Sequence, residues 1–153
     1  GAISNGFPPR ISLDGESTIN LTVGARFLEP GFAAVDKEDG ILTASVVVSG
    51  AVNTASAGTY TVTYSVTDSD QNTSTATRSV VVAPDSDGDG ISNDSDDDRD
   101  GDNVLDYLDA FPEDPAEYLD SDGDGIGDNA DTDDDNDGFS DEYEISKGAD
   151  PLD

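Results

Sequence analysis

From residue 58 to 68 the chain reads GTYTVTYSVTD, with its large side chains on every second position: Tyr60, Val62, Tyr64 and Val66. Threonine and serine fill the gaps. Period two with β-branched and aromatic enrichment predicts a half-buried strand. TSTATRSVVVA (73–83) predicts its hairpin partner, and polar DSDQN (68–72) the turn between them. STINLTV (17–23), FAAV (32–35) and TASVVVS (43–49) predict three more strands; RISL (10–13) and the stretch 26–28 are further candidates.

Short strands with turns every 8–12 residues predict an all-β, immunoglobulin-like β-sandwich over residues 1–84. The chain has no cysteine and no tryptophan, so the disulfide-and-tryptophan core of antibody domains is absent. EPGFAAVDKEDGIL (29–42) followed by GTYTVTYSVTDSDQNTSTATRSVVV (58–82) resembles bacterial immunoglobulin-like domains of surface proteins and some secreted toxins. The resemblance spans residues 8–83 and implies a spacer or adhesive module rather than a catalyst. Tyr60 and Tyr64 share a strand face, which suits core packing better than a sugar platform. Glu29, Asp36, Asp39, Asp68 and Asp70 fall in two loops and are expected to be turn carboxylates in preference to a cation site.

The alternation stops at Pro84, and the charge changes there. Up to Pro84 eight Asp/Glu stand against four Lys/Arg; from Asp85 onward twenty-eight stand against two, and the whole chain carries −30. Such polarity argues against nucleic acid and anionic membrane partners, whose recognition needs basic groups. Without histidine or cysteine, Ser–His and Cys–His nucleophile pairs are excluded, as are zinc–thiolate sites. No apolar run approaches the ~20 residues of a membrane span. No secretory leader pattern is visible, which leads to the expectation of a mature fragment. Two carboxylates at 4 Å repel by about 4 kcal/mol at an effective dielectric near 20. A segment this acidic is therefore either unfolded or organised by cations.

One spacing rule decides between them. Asp133, Asp135 and Asp137 stand at positions 1, 3 and 5 of a loop with Gly138 at 6, Phe139 at 7, Asp141 at 9 and Glu144 at 12. This is the D-x-D-x-D-G-x5-E calcium pattern. Spacing of two turns alternate carboxylates inward, glycine permits the bend, position 7 offers its carbonyl, and position 12 can bind through both oxygens. The same ruler fits Asp85, Asp87, Asp89, Gly90, Ile91, Asn93 and Asp96. It fits Asp98, Asp100, Asp102, Asn103, Val104, Asp106 and Asp109, with asparagine at the bend. It fits Asp120, Asp122, Asp124, Gly125, Ile126, Asp128 and Asp131 as well. Residues 85–109 and 120–144 align at a constant offset of 35, an internal repeat. The expected cofactor is Ca²⁺, four ions or more.

EF-hands need flanking helices, but only Asp97 or Thr132 separates the two loops of each pair. The apolar residue also stands at position 7 rather than at 8, where Ser92, Leu105, Gly127 and Ser140 occur. DSDGDGISNDSDDDRDGDNVLD (85–106), DAFPEDPAEYLDSDGDGIGDNADTDDDNDGFSDEYE (109–144) and the closing GADP instead resemble thrombospondin type 3 repeats in a Cys-less bacterial form. That resemblance implies a mostly irregular chain wrapped around a line of calcium ions over 85–153. Phe111, Tyr118 and Leu119 are expected to form a small apolar plug between the pairs. SDEYEISKG (140–148) predicts one short helix, capped by Ser140 and ended by Gly148, that carries Glu144.

The expected function is a non-catalytic, secreted or cell-surface calcium-binding spacer or anchor that rigidly orients neighbouring catalytic or adhesive domains. Its partners would be those domains of a larger chain. The alternative is a calcium-dependent module binding a cell-surface glycan or a partner protein, adhesin- or dockerin-like. Paired carboxylates can perform acid–base hydrolysis, but the ruler claims every pair for metal, so an enzyme is not expected. Membrane insertion is not expected either.

Overall fold

A computed structural model describes residues 6–152; the outer ends of the two predicted domains, 1–5 and 153, lie outside the described residues. The chain divides between Pro84 and Asp85 into two compact units.

The first unit is a two-layer β structure. One sheet has the order β1 (Arg10–Leu13), β3 (Phe32–Asp36), β4 (Gly40–Ile41). The other has the order β2 (Thr18–Thr22), β7 (Thr73–Ala83), β6 (Gly58–Thr67), β5 (Val47–Ser49). All neighbours are antiparallel except β2 and β7, which run parallel with Thr18 opposite Ser79. The β6–β7 hairpin is the spine, paired without interruption from Gly58 opposite Val82 to Thr67 opposite Thr73. Its turn is closed by Asp68, whose carboxylate accepts the Asn72 amide at 2.7 Å, and by Gln71 in the left-handed region.

The inward face of this hairpin is the core. Val62, Tyr64, Val80 and Val82 are buried together, and Ile11, Leu13 and Phe32 of the other sheet pack against them. Each such side chain contributes about 1.5–3 kcal/mol when taken from water. The Tyr64 ring lies 5.2 Å from that of Phe32, tilted by 54°. Arg78 shares the inward face of β7 with Val80 and Val82 and is fully buried. Its guanidinium donates to the Asp14 carbonyl at 2.7 Å, the Gly31 carbonyl at 3.3 Å and the Glu16 carbonyl, and pairs with Glu29 at 3.4 Å. A charge can stay in this core because its donors are matched to carbonyls and a carboxylate.

Two strand expectations need correction. Residues 43–45 form a 3-10 turn and only Val47–Ser49 is strand. Thr43 causes this: its hydroxyl oxygen accepts the Ala34 amide at 3.0 Å, turning the chain back onto β3. The stretch 26–28 is not a strand. It follows a turn in which Ala25 bonds back to Thr22, with Gly24 at φ 84°, and Leu28 is left exposed. The short β4 was not anticipated; it follows a turn in which the Asp36 carboxylate accepts the Glu38 and Asp39 amides, both at 2.8 Å.

The second unit is held by turns. Its one helix among the described residues, α1 (Asp141–Lys147), has the anticipated Ser140 cap, accepting the Tyr143 amide at 3.3 Å, and Gly148 in the left-handed conformation. Of the expected apolar plug, Tyr118 and Leu119 are exposed and Phe111 is half-buried. The buried residue of that stretch is Glu117, whose carboxylate accepts the Asn129 amide at 3.0 Å and crosses Gly127 where a Cβ would stand. The linker thus packs by polar bonds to the third loop, which the pattern of apolar residues could not reveal.

Candidate metal centre

The four loops share one geometry, built from the same backbone amides. The position-1 carboxylate accepts the position-6 amide: Gly90 to Asp85 at 3.1 Å, Asn103 to Asp98 at 3.1 Å, Gly125 to Asp120 at 3.2 Å and Gly138 to Asp133 at 3.1 Å. Position 3 accepts from position 5: Asp89 to Asp87, Asp102 to Asp100, Asp124 to Asp122 and Asp137 to Asp135, at 2.9–3.3 Å. Position 5 accepts from position 7: Ile91 to Asp89, Val104 to Asp102, Ile126 to Asp124 and Phe139 to Asp137, at 2.6–2.8 Å. Each carboxylate is thereby aimed by a bond to the chain two or five residues ahead.

The bend at position 6 is left-handed in every loop, with φ 97° at Gly90, 77° at Asn103, 94° at Gly125 and 95° at Gly138. Position 4 is left-handed too, at Gly88, Gly101, Gly123 and Asn136. Sequence reasoning missed this second bend; its signal was a glycine or asparagine at position 4 of all four loops.

The result is four triads, each with three carboxylate oxygens within 4.8 Å of one another: Asp85/Asp87/Asp89, Asp98/Asp100/Asp102, Asp120/Asp122/Asp124 and Asp133/Asp135/Asp137. Oxygens on opposite sides of a Ca²⁺ ion stand about 5 Å apart, twice the 2.3–2.6 Å bond. The spacing within each triad is compatible with one such ion.

Position 12 adds to this array. Asp96 and Asp109 each use one oxygen on a backbone amide, of Asp98 at 3.0 Å and Phe111 at 2.7 Å, and bury the other without a partner. Asp131 accepts the Asp133 amide at 3.0 Å. Glu144, placed by α1, is 5% exposed and has one oxygen buried without a partner. Burial raises its pKa, and Asp135, Asp137 and Asp133 raise it further. Asp100 is raised by burial and by Asp102, Asp109 and Asp98. A position-12 carboxylate thus faces its own triad in the second and fourth loops.

Position 9 is bonded to the backbone of position 2. Asn93, Asp106, Asp128 and Asp141 accept the position-2 amides of Ser86, Arg99, Ser121 and Asp134, at 2.8–3.0 Å. These side chains close the loop onto its own start. Positions 7, Ile91, Val104, Ile126 and Phe139, give their amides to position 5, and Ile91, Ile126 and Phe139 leave their side chains about half exposed.

Orphaned oxygens test whether a cation fits. Asp96, Asp100, Asp109, Asp133, Asp134 and Glu144 each bury one carboxylate oxygen without a hydrogen-bond partner. An unpaired buried carboxylate is costly, and divalent cations would relieve all six of these together. The donor set is all oxygen, which suits Ca²⁺ and is too crowded with carboxylates for the hydrated Mg²⁺ ion.

In the first unit Glu29, Asp36, Asp39 and Asp68 accept protein hydrogen bonds, and Asp36 also buries one oxygen without a partner. Glu29 takes the Tyr64 hydroxyl and the Gly31 amide, the latter at 3.1 Å. Asp39 bridges to the hairpin turn through the Ser69 amide and hydroxyl, at 2.6 and 2.8 Å. Tyr64 is fully buried, so it is a core residue and no sugar platform. Among the described residues no carboxylate triad forms in this unit. Two sheets closed over a hairpin spine, with the tyrosine and valine face inward, form the frame in which family membership can be tested.

Residues 11–82 match the family model for the Ig-like domain of bacterial surface proteins. No curated protein matches the chain. Among solved structures, a lipoprotein of Bacteroides thetaiotaomicron is 32% identical with a TM-score of 0.46, over 50% of this chain and 38% of that one. The CBM51-2 and INT domains of Clostridium perfringens ZmpB, in complex with GlcNAc, are 36% identical with a TM-score of 0.40, over 50% of this chain and 16% of that one. The M60 catalytic domain of ZmpB with its CBM51-1 and CBM51-2 domains is 32% identical with a TM-score of 0.41, over 50% of this chain and 8% of that one. The chain thus spans well under two thirds of each of these.

One residue of the first unit was left unread by the sequence pattern. Arg78 interrupts the valine face of β7, and its bonds to the Asp14, Glu16 and Gly31 carbonyls reach from β7 to the segments flanking β1 and β3. It is structural, since all three of its nitrogens are engaged by protein groups. Among the described residues no helix is long and apolar enough to cross a membrane.

Proposed function

We propose that the second unit is a calcium-binding repeat of the Cys-less thrombospondin type 3 kind, taking at least four Ca²⁺ ions, one per loop. Positions 1, 3, 5 and 12 would supply carboxylates and position 7 its carbonyl, while position 9 closes the loop. The observation that carries this reading is the same three-carboxylate array in all four loops, with buried oxygens without partners in the first, second and fourth. Bound calcium supplies the positive charge that lets twenty-eight acidic groups share one compact unit. Extracellular modules of this type bind at about 10⁻⁴–10⁻³ M, so they fill outside cells.

The Ig-like unit supports a surface or secreted module without catalysis of its own. On this reading the protein is a spacer or anchor between neighbouring domains of a longer chain, and calcium sets the stiffness of its acidic half. A metal-ordered segment keeps a defined length, in contrast to a flexible linker whose ends wander. Calorimetric titration with parallel metal analysis tests the reading. It predicts four or more ions per chain in millimolar calcium; fewer than three would overturn it.

A further inference from the structure

The two loop pairs follow one ruler but differ at the seam between their loops. At the offset of 35 residues, Arg99 of the first pair corresponds to Asp134 of the second, and Asn93 corresponds to Asp128. Asn to Asp adds one negative charge and Arg to Asp changes the charge by two, while Asp94 and Asp97 correspond to the neutral Asn129 and Thr132, so residues 128–134 are more negative than 93–99 by one.

The structure shows what these residues face. Arg99 donates its amide to Asp106 at 3.0 Å and its Nε to the other Asp106 oxygen at 2.6 Å; its Nη1 stands 3.6 Å from Glu113. Both Asp106 oxygens are therefore matched by one residue. The backbone amide of Arg99 is the largest influence holding the Asp106 carboxyl below its ordinary pKa, and the guanidinium adds to it. In the second pair the Asp134 amide makes the equivalent bond to Asp141 at 3.0 Å. Its side chain is a carboxylate with one oxygen buried and unpartnered. Burial raises its pKa, and Asp141, Asp128, Asp131 and Asp122 add to the rise. One backbone bond is shared between the pairs: Asp106 and Asp141 donate their amides to the carbonyls of Asp97 and Thr132 at 2.8 and 3.0 Å. Gly101 lies against Asp87, and Asn136 donates to Asp122 at 2.5 Å. The same backbone closure is thus neutralised from within in one pair and left uncompensated in the other.

We propose that Arg99 is a built-in counter-cation that keeps the second loop closed when calcium is scarce, while the fourth loop, with Asp134 in that place, closes only as metal binds. This rests on the calcium reading and adds an order to it: the second loop closes before the fourth. At low calcium residues 98–106 keep their loop closure and residues 133–141 lose theirs.

Amide hydrogen exchange on the whole chain in chelator tests this, because its first comparison needs no bound metal. The amides of Arg99 and Gly101 should exchange about fivefold more slowly than those of Asp134 and Asn136, the ratio expected of a partly exposed ion pair worth up to ~1 kcal/mol. Arg99→Gln should erase the difference, and Asp134→Arg should bring the same protection to the second pair. Equal exchange in the two wild-type pairs would overturn the proposal. So would a difference that survives Arg99→Gln, or an Asp134→Arg variant no better protected than wild type. Failure of the calcium reading looks different: adding Ca²⁺ would then slow exchange in neither pair.

Discussion

One oxygen of the Asp133 carboxylate holds the Gly138 amide at 3.1 Å, while its other oxygen is buried with no partner. The bond fixes the bend of the fourth loop, and Asp133 stands in one triad with Asp135 and Asp137. On the calcium reading, a side chain half committed to the backbone and half unpaired would be a pre-organised ligand, its rotamer set before any ion arrives.

Asp137 completes that triad, and the Phe139 amide aims it at 2.8 Å. Asp137→Ala should weaken the calcium affinity of one site by about tenfold or more, ~1.4 kcal/mol. Asp94, at position 10 of the first loop, is exposed and belongs to no triad. Asp94→Ala should overlay wild type in the same calorimetric titration. Two identical curves would contradict the ligand assignment.

The bend at position 6 offers a test that removes no carboxylate. Asn103 holds φ 77°, where an L side chain costs about 1 kcal/mol and glycine does not. Asn103→Gly should stabilise the calcium-loaded second unit by ~0.5–1 kcal/mol. Gly138→Val, at φ 95°, should destabilise it by about 1–2 kcal/mol. Thermal melts in excess calcium read both.

Much of this was legible in the sequence. The alternation around Tyr64 and the 35-residue ruler are patterns of residue type at fixed spacing, and backbone geometry follows directly from spacing. The exceptions have a common cause. Thr43 turned a strand into a 3-10 turn through one side-chain bond to Ala34, which no periodicity encodes. Arg78 reads as a polar slip in a valine face until carbonyls from distant segments surround it. Position 9 fits a ligand ruler and also fits a loop-closing bond, and only the Ser86, Arg99, Ser121 and Asp134 amides distinguish them. Tyr118 and Leu119 promised a plug by hydrophobicity, yet the acidic Glu117 is what packs.

The buried Tyr64 gives the first unit a pH limit. Burial, and then its hydrogen bond to Glu29, raise the Tyr64 pKa above the ordinary 10.0. The folded state therefore keeps the proton more tightly than the unfolded chain. Its contribution is complete below pH ~10 and is lost as pH rises from there through the folded value. Unfolding followed from pH 8 to 11 should show stability falling above pH ~10. Tyr64→Phe should flatten that slope while costing about 1–3 kcal/mol at neutral pH, because Glu29 loses its donor and Arg78 Nε its acceptor.

Chelation should separate the two units. The first has an apolar core and should keep its amide protection along β6 and β7. The second should expand, because like charges at this density repel over the ~8–10 Å screening length of ordinary buffers. Small-angle scattering should show a larger radius of gyration in chelator that reverses with calcium. Loss of β6–β7 protection on chelation would show that metal supports the first unit as well.

The central claim is that calcium occupies each of the four loops. Its most direct test is a two-dimensional amide NMR titration that follows the position-6 amides of Gly90, Asn103, Gly125 and Gly138, each bonded to the first carboxylate of its own loop. The account predicts that all four resonances move as calcium rises into the millimolar range, that they return on chelation, and that equal magnesium leaves them largely in place. Resonances that stay still in calcium, or respond equally to magnesium, would contradict it.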